Sequence, residues 1–197
     1  MKKAIELVDR ISSGQNVLLL AGLYVLMVLF IMPAAVADFE RFAGGNLPLE
    51  LQFWYTPAMA AQSLEAYGEE GRKFYLFILT TADMVSPIIA SAFYCSILGW
   101  LIKKKGGAWP WYLPLVPWLL AVFNFFENAF ISLLLVGYPG EYYWLAVFAM
   151  LVTFLKRLAV LATVLLLLGS VFAWLKSWRM EKRAQKKEAQ IGRSHVQ

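Results

Sequence analysis

Four ionisable side chains interrupt otherwise apolar stretches of this 197-residue chain: Asp83, Glu127, Lys156 and Arg157. Glu127 stands in NFFENAF, with one amide three residues before it, Asn124, and another directly after it, Asn128. At helical spacing these side chains lie on one face. Carboxylates, amides and an amine gathered away from water can do three things. They can move a proton as general acid and base. They can hold the polar head of an otherwise apolar ligand. They can also pair with one another and set the register between helices.

The elements that must position them are four long hydrophobic runs, at about 17–37, 74–102, 111–136 and 142–175. Each reaches the ~20 residues a helix needs to cross bilayer hydrocarbon. In lipid such runs satisfy their own backbone only as helices. The expected fold is therefore all-α: an integral membrane four-helix bundle over 17–175, with an amphipathic leader (1–16) and a basic tail (176–197).

Depth follows from the rise of ~1.5 Å per residue. Asp83 lies ~15 Å below Lys73, Glu127 ~15 Å below Gly137, and Lys156 and Arg157 ~21–23 Å below Tyr142. Two acids and two bases on three helices thus fall in one layer. A central charge costs roughly 2.5–3.5 kcal/mol on insertion scales, so four unpaired ones would cost on the order of 10–14 kcal/mol, as much as a typical domain's whole stability. They are expected to face inward and pair.

Helical periodicity widens the layer. Thr80, Asp83, Pro87, Ser91 and Tyr94 share a face of the second span. Thr153, Lys156, Val160, Thr163 and Ser170 form a similar stripe on the fourth. Arg157 points ~100° away from Lys156, toward another helix or the underside of the first connection. Pro87 removes a helix hydrogen bond one turn after Asp83 and frees a carbonyl beside the acid. The candidate ligand-binding or proton-coupling residues are Asp83, Glu127, Asn124, Asn128, Lys156, Arg157, Thr80 and Tyr94.

Basic residues set the orientation. Lys2, Lys3, Arg10, Lys103–Lys105 and seven Lys/Arg of the tail fall on one side; Arg41, Arg72 and Lys73 fall on the other. The positive-inside rule places both termini in the cytoplasm. Trp100, Trp109, Trp111, Trp118, Trp174 and Trp178 gather near the same interface, and Trp144 near the opposite one. Ile5, Leu7, Val8 and Ile11 of the leader are expected along the membrane surface. Ala35-Val36-Ala37 resembles a signal-peptidase site, but the preceding run is longer than the usual ~7–15 residues, so an uncleaved anchor is expected.

The outer loop, 38–73, carries Asp38, Glu40, Glu50, Glu65, Glu69 and Glu70. Within it YTPAMAAQSLEAYG reads as a short amphipathic helix. Thr56 caps it, Pro57 opens it, Gly68 stops it, and Met59, Ala60, Leu64 and Tyr67 form its apolar side. NLPLELQFWY, just before, is apolar enough to rest on the bundle mouth.

Composition excludes several chemistries. The single cysteine, Cys95, rules out an intramolecular disulfide and CxxC redox chemistry. The single histidine, His195, removes paired-His haem ligation, His-rich metal sites and Ser-His-Asp catalysis. No cofactor and no metal are expected. The net charge of +5 lies beside apolar runs, which points to anionic lipid headgroups rather than nucleic acid.

The expected activity is binding or transport of a small amphiphilic or lipid-like ligand. The alternatives are a metal-independent intramembrane acid–base enzyme and a structural or partner subunit. The layout of four helices with acids in the middle spans is loosely similar to the emopamil-binding-protein class. The isomerases of that class use a membrane histidine without counterpart here, so the resemblance implies no site residues. Short loops are compatible with a bacterial inner membrane.

Overall fold

The computed structural model describes residues 2–105, 110, 112–140 and 142–194. Among these the regular elements are all helical. Four stretches are long and apolar enough to cross a membrane: Gly14–Phe42, Gly68–Lys104, Leu113–Gly137 and Tyr143–Arg183.

The first begins after a short helix, α1 (Lys2–Ile11), and is built from α2 (Gly14–Leu26) and α3 (Met32–Phe42). Ser13 caps α2 by accepting the Asn16 amide at 3.3 Å. A π-helical turn, Met27–Ile31, joins the two helices. Pro33 accounts for it: the ring has no N–H and crowds the carbonyl four residues back, and a wider turn relieves both. Ala35–Ala37 are helical within α3.

The long connection that follows ends in α4 (Pro57–Ala66), capped by the Thr56 hydroxyl on the Met59 amide at 3.2 Å. Gly68, at φ 63°, lets the chain turn out of it. Ala60, Leu64 and Tyr67 are buried as its periodicity requires, whereas Met59 is exposed.

The second span is two helices, α5 (Gly68–Thr80) and α6 (Ala82–Lys105), interrupted at Thr81. The third is α7 (Trp118–Gly137), led in by a 3-10 turn at Leu113–Leu115. The fourth is α8 (Tyr143–Ser194), one helix that continues well beyond the apolar run. Its last part is rich in Lys, Glu, Ala and Gln, strong helix formers.

The bundle is best packed at the end nearest the long connection, the loop end. There Phe39, Leu49, Tyr55, Tyr67, Tyr75, Leu79, Ile131 and Ala149 form a buried cluster. Phe39 and Tyr67 stack edge to face at 5.0 Å, and Tyr67 and Tyr75 at 5.8 Å. α7 and α8 pack along their lengths, and α6 touches α2, α7 and α8.

The leader packs on the bundle. Val8 and Ser12 are buried against Gly99 of α6. Ser96 Oγ donates to the Ile11 carbonyl at 2.7 Å, and Lys103 Nζ lies 2.9 Å from Asp9 Oδ1. α1 therefore docks on α6, drawn there by these polar contacts and by the lack of a Cβ at Gly99. The side chains of Ile5 and Leu7 lie outside the described set. Trp100 and Trp174 meet at 6.4 Å at this tail end, and Lys182 sits over Trp178. Trp109, Trp111 and His195 lie outside the described residues.

Candidate functional site

Glu127 is fully buried on α7. Lys156 of α8 donates to its Oε2, and the Thr153 hydroxyl to its Oε1 at 2.6 Å. Lys156 Nζ also donates to Asn124 Oδ1 at 3.2 Å. Asn124 in turn donates through Nδ2 to Asp83 of α6, at 2.9 Å to the backbone carbonyl and 3.1 Å to Oδ2. A continuous polar chain thus runs Asp83–Asn124–Lys156–Glu127–Thr153 across three helices. Asp83, Asn124, Asn128 and Thr153 are buried; the Lys156 side chain keeps 17% of its surface exposed.

The backbone is part of this chain. Pro87, lacking an N–H, leaves the Asp83 carbonyl without its helical donor, and Asn124 supplies one. The interruption at Thr81 frees the Leu79 carbonyl in the same way, and Asn128 Nδ2 reaches it at 3.1 Å. The two amides that flank Glu127 are therefore committed to backbone carbonyls of a broken helix. Asn128 Oδ1 is buried without a partner.

Arg157 does not join the layer as a counter-charge. Its guanidinium turns to the chain segment before α4, where NH1 donates to the Phe53 carbonyl and NH2 to those of Gln52, at 2.5 Å, and Glu50, at 3.2 Å. Within the layer only Glu127 and Lys156 form an ion pair among the described residues; Arg157 instead reaches the underside of the first connection, one of the two directions its position on the helix allowed, and Asp83 is met by Asn124. Thr80 is corrected. It is exposed, and its hydroxyl bonds back to the Leu76 carbonyl at 2.8 Å within its own helix. Tyr94 meets the Tyr24 hydroxyl of α2, some three turns below Asp83. Ser91 donates to the Pro117 carbonyl at 2.8 Å and Thr163 to its own helix at Ala159. Val160 is exposed, and the Ser170 hydroxyl is buried with no partner.

The residue that sequence reasoning left out of the candidate set is Glu50. It stood among the acids of the first connection, inside the stretch NLPLELQFWY expected to rest on the bundle mouth. In the structure the Leu49–Leu51 turn folds against the bundle, with Leu49 fully buried. Tyr75 of α5 donates its hydroxyl to Glu50 Oε2 and accepts the Leu49 amide at 3.0 Å. Burial, followed by the nearby negative charges of Asp83 and Glu127, raises the Glu50 carboxyl from 4.5 to about 8; Tyr75 and Lys156 pull in the opposite direction. It is thus held protonated at neutral pH. The signal for it was present in NLPLELQFWY, where the acid is enclosed by Leu49, Leu51, Phe53 and Trp54.

Two clefts adjoin the layer. One, of about 280 Å³, lies between α2, α6, α7 and α8. Asp83, Asn124 and Lys156 form its floor, Val28, Leu120, Val160 and Val164 its walls, and Tyr24 and Tyr94 its lower edge. Glu127 does not reach it. The other, of about 290 Å³, lies between the Gln52–Tyr55 segment and α8, beside Arg157. Among the described residues no group of three or more His, Cys, Asp or Glu is placed to hold a metal ion. No protein-family model, curated protein or solved structure matches this chain.

Proposed function

We propose that the chain is a multi-pass protein of a bacterial inner membrane, with both termini cytoplasmic, that binds or carries a small amphiphile in the cleft between α2, α6, α7 and α8. The observation that carries this reading is the cleft's make-up: Asp83, Asn124 and Lys156, with the hydroxyl-bearing Ser86, Thr163, Tyr24 and Tyr94, line a space whose other walls are apolar, among them Val28, Leu120, Val160 and Val164. In hydrocarbon such groups are costly and mark functional sites by default. Among the described residues of the layer two acids, Asp83 and Glu127, are linked through Asn124 to one amine, Lys156. That balance suits an amine or hydroxyl head rather than an anion. The basic end of α8, with Lys176, Arg179 and Lys182, suits anionic lipid headgroups.

Glu127 itself favours a second role. It is wholly enclosed, away from the cleft, and tied to Lys156 and Thr153. We assign it to holding α7 and α8 in register.

Co-purification tests the ligand reading. The protein is extracted in native-membrane nanodiscs, and bound small molecules are identified by mass spectrometry. Val160→Trp closes the cleft from its lipid side. A species enriched with the wild type and lost with V160W supports the proposal. Identical lipid content in both contradicts it.

A further inference from the structure

Asp83 is the acid of the layer that no cation meets. Lys156 is ion-paired to Glu127, and among the described residues no ion pair reaches Asp83. Its Oδ2 accepts from the neutral amide of Asn124. A carboxylate has about four acceptor sites, so an amide leaves capacity over. Only 8% of the residue is exposed, and it lines the cleft between α2, α6, α7 and α8. A buried carboxylate without a counter-charge is expensive.

The same cleft holds more for a cation than this carboxylate. Ser86 stands three residues along α6 from Asp83, on the same face, and its hydroxyl oxygen is a second acceptor. Tyr24 and Tyr94 add aromatic surface, which attracts cations. Lys156 also lines the cleft, but its charge is matched by Glu127, and the Asn124 amide stands between it and Asp83. The net charge left facing the space is therefore negative. An ammonium neutralises it and has donors for both Asp83 and Ser86. A hydroxyl head has one donor and neutralises nothing. The remaining walls, among them Val160 and Val164, are apolar. The volume of about 280 Å³ lies at the small end of ligand pockets, ~300–1,000 Å³, and suits a slender chain.

We propose that the ligand of this cleft is a primary alkylammonium, with its nitrogen between Asp83 and Ser86 and its chain along Val160 and Val164. The inference rests on the reading of the cleft as a ligand site, and narrows the head from amine or hydroxyl to a cation.

Photolabelling tests the two separately. Three probes share a decyl chain with a diazirine and differ only in the head: ammonium, hydroxyl or carboxylate. Each is titrated into the protein in phosphatidylcholine nanodiscs. Carbene insertion is then mapped by mass spectrometry on the α8 peptide that contains Val160 and Val164. The proposal predicts saturable labelling, with the ammonium half-saturating at a bilayer mole fraction about tenfold or more below that of the alcohol. Asp83→Asn should erase that difference. Equal half-saturation by ammonium and alcohol, lost together in V160W, overturns the cationic head and leaves the ligand site standing. A preference for the carboxylate overturns the charge assignment. Labelling that never saturates and is indifferent to V160W overturns both readings. Should D83N fail to fold, the wild-type comparison of ammonium with alcohol decides alone.

Discussion

Asn124 Nδ2 lies 2.9 Å from the carbonyl oxygen of Asp83, the acceptor that Pro87 leaves vacant one turn further on. A defect in one helix is thus repaired by a side chain of another, and the repairing side chain also touches Lys156. The coupling can be measured. Asn124→Ala should destabilise the protein by about 1 kcal/mol, in the range found for hydrogen bonds between membrane helices. In a Pro87→Ala background, where the helix can satisfy its own carbonyl, the cost should fall by half or more. Reversible unfolding in mixed micelles reads both.

Glu50 makes stability depend on pH. Its folded-state value is raised to about 8 from 4.5. The folded protein therefore binds more protons than the unfolded chain between these values. Stability should be greatest below about 4.5 and decline as pH rises toward 8. Glu50→Gln, a neutral mimic of the protonated acid, should flatten that decline. Thermal unfolding across this window checks the sign; a wild-type curve that rises with pH contradicts it.

Arg157 fastens the Glu50–Phe53 segment. Arg157→Lys keeps the charge but loses the planar fork that spans several carbonyls. Amide hydrogen exchange should increase by about tenfold, ~1.4 kcal/mol, at residues 49–55. Exchange in α7 should be unchanged.

Gly99 admits the leader. A Cβ there would sit on the Ser12 hydroxyl. Gly99→Ala should release α1 and raise protease cleavage within residues 2–12, while the bundle's unfolding shifts by less than about 1 kcal/mol.

Much of this was legible in sequence. The four spans follow from run length, and the amides around Glu127 from helical spacing. Pro87 announced the freed carbonyl because its chemistry is local. What was not legible depends on tertiary contact. The apolar setting of Glu50 in NLPLELQFWY was legible, but its partner was not: only the folded connection brings its carboxyl, half-buried, onto the Tyr75 hydroxyl. The turn of Arg157 toward the first connection followed from its ~100° offset from Lys156, but charge counting does not see the backbone carbonyls that meet it there. Thr80 shared a face with Asp83 only for an unbroken helix, and Thr81 breaks it. The leader's docking depends on a glycine ninety residues away.

The account rests on Glu127 and Lys156 neutralising each other between α7 and α8. A double-mutant cycle with Glu127→Gln and Lys156→Met, read by unfolding in mixed micelles, tests this directly. Each single change should cost about 3 kcal/mol or more by stranding a buried charge or donor. The double variant should cost clearly less than their sum, giving a coupling of at least about 1.5 kcal/mol. Additive losses would mean the two groups do not sense each other, and the polar layer described here would not exist.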